Sequence, residues 1–173
     1  MRVRKFRAFV KQVNKMIYSE NSYPKGNSDY RFVASEDHKK GLGVEYFTNR
    51  TEYVNQYGGV VLLPDWRVFT DEEAPVTEYT GLKDKNGREI YEGDILEETC
   101  ELYTHFGKTP TGRFHTSYVK VIWIDEGWGY EVINNNGKGL INGYKAQGLK
   151  ITAKYSVVYG NIYENPELLG AAE

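Results

Sequence analysis

The sequence predicts a mainly β protein, with a small C-terminal barrel and a smaller N-terminal β region. Aromatic residues make up 14% of the chain and stand among β-branched ones, a composition that suits pleated, half-buried strands. Eighteen glycines and five prolines interrupt the chain at short intervals, so strands are short and turns frequent. About five short apolar runs fall in the second half, and strands of that number and size, strongly bent, close into a small barrel.

The elements follow in order. In "KFRAFVKQVNKMIYSE", Phe6, Ala8 and Val10 alternate with charged or larger residues, the period of a strand buried on one face with its other side chains outward. Gln12 to Lys15 form a polar break around Asn14, and Met16-Ile17-Tyr18 return as the second strand of a hairpin. Ser19 to Gly43 are polar and weakly patterned, a long loop with a short strand at Tyr30–Val33. "GVEYF", "GVVLLP" and "WRVF" are strand candidates, with a short helical turn between Thr48 and Tyr57. "TDEEAPVTEY" is charged, contains Pro75 and reads as a linker. It places a boundary near residue 76, between an N-terminal region 1–76 and a C-terminal domain 77–173.

Tyr79 to Leu96, "YTGLKDKNGREIYEGDIL", reads as a hairpin joined to a strand entry. Asp84-Lys85-Asn86-Gly87 has tight-turn chemistry, and Leu82 can face Ile90 across it. Glu92-Gly93-Asp94 makes a second turn with Gly93 at positive φ. Glu97 to Ser117 form a long loop or an extended hairpin. In "YVKVIWIDEGWGYEVI", Asp125-Glu126-Gly127 turn the chain, and Val121, Trp123, Tyr130 and Val132 face inward. "NNNGKG" at 134–139 is another turn. "LKITAKYSVVYGNIY" supplies one or two strands, with Gly160-Asn161 as a bend or bulge. "ENPELLG" starts a helix, with Asn165 as N-cap, Pro166 in first position and Glu167 at the positive end of the dipole.

Composition removes several function classes. Cys100 is the one cysteine, so there is no intramolecular disulfide and no cysteine zinc cluster, and a reducing cytoplasmic location is expected. No run of about 18 apolar residues spans a membrane, and the basic N-terminus lacks the apolar stretch of a signal peptide. Net charge is -2 but uneven. Residues 1–17 carry six Lys/Arg and no acid, while residues 71–98 carry ten acids and three bases. Such asymmetry marks either a nucleic-acid contact or two segments side by side, within one chain or between subunits of a homo-oligomer.

The site-like motifs mostly fail on spacing. Gly107-Lys108-Thr109 resembles the end of a phosphate loop, but Leu102 stands where that loop needs glycine. Asp84, Asn86 and Gly87 suggest a calcium loop, yet the glycine falls at position 4 where 6 is needed. His38, His105 and His115 are scattered and read as surface residues. Cys100 follows two glutamates, a setting that raises a thiol pKa. Glu89, Glu92 and Asp94 are the carboxylates an enzyme would use, although solvated strand-end acids explain them more simply. No cofactor motif is present. Arg4, Lys5 and Arg7, interleaved with Phe6 and Phe9, suit a face that follows a phosphate backbone and stacks bases. The alternative is a first strand whose long cationic side chains cover a sheet edge.

"KFRAF" at 5–9, "YTGLKDKNGREIYEGDIL" at 79–96 and "VVYGNIYENPELL" at 157–169 together resemble the YopX family of phage and prophage proteins. The three stand in the family's order, so the resemblance spans nearly the whole chain. Phe9 stands where the family more often has Trp. The resemblance implies an SH3-like, partly open C-terminal barrel, a phage or prophage origin and the host cytoplasm. It brings no catalytic residues. The functional expectation is a non-enzymatic accessory protein that binds macromolecules, as a homo-oligomer or with a phage or host protein. Asn86, Gly87, Gly93 and Asp94 are then structural turn residues.

Overall fold

The computed structural model describes residues 4–26, 28–104, 107, 109–135 and 141–170, and no side chain at 49–51 or 170. The chain divides into two compact units, Met1–Glu78 and Tyr79–Glu173. Among the described residues no helix is long and apolar enough to cross a membrane.

In the first unit, β1 (Phe6–Val10) and β2 (Lys15–Tyr18) form the expected hairpin, with Arg7 opposite Tyr18 and Val10 opposite Lys15. A 3-10 turn at Lys11–Val13 and Asn14 at φ 49 make the reversal, a conformation asparagine tolerates. The other side of β1 pairs with the start of β6 (Val76–Lys83), Phe6 opposite Glu78 and Ala8 opposite Val76. β1 is therefore a central strand, and its alternation misleads. Arg7 and Phe9 are buried along with Ala8 and Val10.

β3 (Tyr30–Ala34), β4 (Leu42–Val54) and β5 (Val60–Val68) form a second, three-stranded antiparallel sheet in that order. "GVVLLP" and "WRVF" are one strand. No helical turn separates Thr48 from Tyr57: β4 runs to Val54, because Thr51, Tyr53 and Val54 favour a strand. Its hairpin turns at Asn55–Gly59, where Asn55 Oδ1 accepts the N–H groups of Tyr57 and Gly59, each at 2.9 Å. The first core joins Ala8, Val10, Ile17, Val44, Phe69, Ala74 and Val76, with Tyr46 stacked on Phe69 at 4.5 Å. The charged linker is ordered. Thr70 and Glu73 exchange bonds, Thr70 N–H to Glu73 Oε2 at 2.9 Å and Glu73 N–H to Thr70 Oγ1 at 3.3 Å, and β6 begins at once with buried Val76.

The second unit carries the rest of β6, β7 (Glu89–Tyr91), β8 (Asp94–Thr104), β9 (Thr109–Ile124), β10 (Gly127–Asn135), β11 (Lys145–Gln147), α1 (Leu149–Tyr155), β12 (Val157–Asn161) and α2 (Glu167–Gly170). Five strands form an open, half-barrel antiparallel sheet in the order β11-β10-β9-β8-β12. Glu97–Thr104 and Thr109–Ser117 pair as antiparallel strands, as the extended-hairpin alternative has it, with Cys100 opposite His115. Ile90, Leu96, Val119, Val121, Val132, Leu149, Ala153 and Val158 make its core, and Leu82 packs against it.

Three expectations need correction here. Trp123 shares the alternation of Val119 and Val121 but lies beyond the core, 53% exposed, edge-on to Trp128 at 4.8 Å. Leu149 to Tyr155 are helix, because Leu149 and Ala153, four apart, supply the buried stripe, while Ile151 faces solvent. Asn165 does not cap α2 with its side chain, since Asn165 Oδ1 accepts the Asn161 N–H at 3.3 Å. The expected bend near Gly160 is a bulge between Val158 and Gly160. Residues 136–139 of the expected turn, together with His105 and Lys108, lie outside the described residues.

Candidate functional site

The polar density of 79–96 is structural. Asp84 is buried, and its Oδ1 accepts the N–H groups of Asn86 and Arg88, each at 2.9 Å. Its Oδ2 accepts the Val158 N–H from β12, also at 2.9 Å. Burial alone pushes the Asp84 carboxyl up, but the three N–H donors and the Arg88 charge outweigh it and hold the group below its ordinary value. Gly87 supplies the positive φ of the turn, 86°. Asp94 is fully buried, and its Oδ2 takes the Tyr91 N–H at 2.7 Å. Gly93, at φ 78, passes so close to Ile162 that an added Cβ would lie 3.2 Å from its Cδ1. Glu89 accepts the Tyr91 phenol at 3.0 Å. Two of the three candidate carboxylates thus engage opposite ends of one tyrosine, and Glu92 is half-buried. Among the described residues, no three or more His, Cys, Asp or Glu side chains could together hold a metal ion.

The basic first strand is largely matched within its own unit. Arg4 pairs with Glu78 through two contacts, at 3.2 and 3.3 Å, and that carboxylate raises its pKa further. Lys5 meets Glu20 at 2.6 Å. Arg7 is buried, with Nε donating to Thr77 at 3.2 Å, and Phe9 is buried as well. Of the residues offered as a nucleic-acid contact, Arg4 presents the most exposed side chain. The basic and acidic segments meet inside the chain, where β1 lies along β6.

His38 is not a free surface residue. Its Nδ1 lies 2.8 Å from Asp71 Oδ1, and the Lys39 N–H donates to Asp71 Oδ2 at 2.9 Å. That N–H first, then His38, holds Asp71 below its ordinary value. Gly43 makes room for the ring, since a Cβ there would fall 2.4 Å from His38 Nε2. Cys100 is exposed and donates to Glu98 at 3.3 Å. Partial burial, then the Glu98 carboxylate, pushes its thiol up, the direction of an unreactive cysteine. A cleft of about 280 Å³ runs along β2, lined by Lys15, Met16, Ile17, Tyr18, Asn21 and Ser28. A pocket of about 70 Å³ lies by Glu98, Tyr130 and Asn135, far below the few hundred Å³ of an ordinary ligand site.

The feature the sequence reading missed is the outer half of the β4–β5 hairpin. Tyr57 is 87% exposed, Val54 73%, Val60 61% and Leu62 57%, with Tyr53, Val61 and Leu63 also exposed. Alternation puts Val60 and Leu62 on one face and Val61 and Leu63 on the other. From Tyr53 to Pro64 the sequence holds no charged residue. Towards the base of the hairpin, Trp66 carries the Arg31 guanidinium over its ring at 4.2 Å and meets Phe47 at 5.4 Å and Tyr23 at 5.6 Å. The signal was present: four consecutive apolar residues, Val60-Val61-Leu62-Leu63, inside an uncharged stretch. It reads as a buried strand until the structure shows both faces in solvent.

A family model described as "YopX protein" matches residues 5–170. The chain belongs to the YopX family. Among solved structures, it is similar to the crystal structure of protein EF1440 from Enterococcus faecalis, with 22% sequence identity and a TM-score of 0.47, over 98% of this chain and 99% of that one. None of the curated proteins matches it. In this YopX protein the family match takes in both units and includes β1, the Asp84 turn and β12.

Proposed function

We propose that this YopX protein is a non-enzymatic binding module that docks another protein through the β4–β5 hairpin arm. The observation that carries the reading is the arm's surface: apolar on both faces, uncharged from Tyr53 to Pro64, and exposed. Soluble monomers rarely leave contiguous apolar patches of several hundred Å² open, and larger ones mark interaction sites. Family membership supports a finer version, in which the half-barrel is an SH3-like barrel and the protein is a phage or prophage accessory acting in the host cytoplasm. Nucleic-acid binding is the weaker reading, because Arg4 and Lys5 hold acidic partners and Arg7 is buried.

A photo-crosslinking residue in place of Tyr57, irradiated in the producing cell, tests the docking role. Discrete protein adducts are expected. Recovery of uncrosslinked chain alone overturns the reading.

A further inference from the structure

We propose that the partner of the β4–β5 arm is a second copy of this chain, joined two-fold through the outer edge of β5. The inference rests on the docking role above and names its occupant. Two bonds fix which way the β5 backbone points. The Gly59 C=O accepts from Asn55 N–H at 2.8 Å, and the Phe69 N–H donates to the Val44 C=O at 2.9 Å. Alternate residues of an antiparallel strand direct their backbone groups to the same side. Odd-numbered β5 residues therefore face β4, while Val60, Leu62, Pro64 and Trp66 face the opposite edge. No described strand pairs there.

That edge has limits. Pro64 has no N–H to donate, and the Trp66 N–H is already taken by Asp65 Oδ1 at 2.8 Å. The open window is Val60 to Pro64, with Leu62 at its midpoint. An antiparallel copy centred there sets Leu62 against its counterpart and Val60 against Pro64. The two Leu62 residues exchange both backbone bonds, and each Val60 N–H reaches a Pro64 C=O. The missing proline donor is tolerated at the end of the window.

Charge favours a copy of the same chain. A homotypic contact sets each charge near its twin and is penalised by any it contains, and residues 53–64 contain none. Tyr53, Val54, Tyr57 and the run Val60–Leu63 expose roughly 500 Å² of apolar surface, taking about 200 Å² for a tyrosine and about 100 Å² for an aliphatic side chain and scaling each by its exposure. Pairing at the β5 edge sets the flanks of Val60–Leu63 of one copy beside those of the other.

Light scattering on the full chain, with Leu62→Lys and Leu62→Glu variants, tests the proposal. The unsubstituted protein is expected at twice 19.9 kDa, each variant alone at the single-chain mass, and an equimolar mixture of the two variants again at twice that mass. Restoration on mixing is specific to a two-fold that sets position 62 against itself. A single-chain mass for the unsubstituted protein at about 100 μM overturns the second copy. Variants that stay paired, or a mixture that stays monomeric, overturn the Leu62-centred edge. If the second copy fails while the Tyr57 crosslinker still captures a different protein, docking by the arm stands and only its occupant changes.

Discussion

The β4–β5 and β6–β7 hairpins turn by the same local device and end in opposite surroundings. Asn55 and Asp84 each use one side-chain oxygen to accept the N–H groups two and four residues ahead, at 2.9 Å in all four cases. Each turn places glycine in third position after that residue at positive φ, Gly58 at 79° and Gly87 at 86°. The difference lies in the second oxygen. Asp84 Oδ2 reaches the Val158 N–H on β12, and the Lys85 N–H and the Arg88 guanidinium add bonds to Ser156 and Val158. Asn55 supplies bonds to its own turn, and the outer halves of the strands it joins stand in solvent. The residues of the polar hairpin bind back onto the fold, while the apolar hairpin is the exposed one.

This contrast can be broken at its anchors. Asp84→Ala leaves three N–H groups without their acceptor, one of them on buried Val158, and is expected to cost about 3 kcal/mol in urea unfolding. Asn55→Ala strips two exposed N–H groups that water can satisfy, so about 0.5 kcal/mol is expected. Equal losses would mean that the Val158 link contributes nothing.

Acid separates the hairpins next. Asp84 has a depressed folded-state pKa. Its contribution is present above the unfolded-state value of about 3.9 and is lost as pH falls through the folded value. Asp71 acts in the same direction. Stability is expected to drop below about pH 4, and Asp84→Asn should flatten that drop while Asn55→Ala leaves it unchanged. Urea midpoints measured from pH 7 to pH 2.5 decide it.

The smallest test sharpens the likeness between the turns. An added Cβ at Gly58 or Gly87 meets nothing within 4 Å, so Gly58→Ala and Gly87→Ala should each cost about 1 kcal/mol through positive φ alone. A much larger loss at Gly87 would show that the anchored turn cannot relax.

The Asp84 turn was readable from sequence because Asp, Asn and Gly declare it locally, whereas the Asn55 turn overlaps a stretch that reads as a short helical turn. The β9–β10 hairpin and the bulge at β12 were readable for the same reason. What escaped depends on distant chain. Arg7 reads as an outward cation until β6 is known to lie beside β1, which makes β1 central. Leu149 and Ala153 are too few to announce a helix among Ile151, Thr152 and Val157. The run Val60–Leu63 looks like core, and nothing within it says that no described element covers it. The candidate site was therefore sought where polar residues crowd, at 84–94, while the docking arm lies where charge is absent.

Cys100 has one further consequence. It is the chain's one thiol and it is exposed, so a nitroxide coupled there places a single spin on each molecule without any substitution. Its raised pKa keeps the thiolate scarce at neutral pH, and coupling calls for mildly alkaline buffer. Dipolar spectroscopy of the labelled protein then returns one inter-spin distance for a symmetric pair, and an unmodulated echo for a solitary chain.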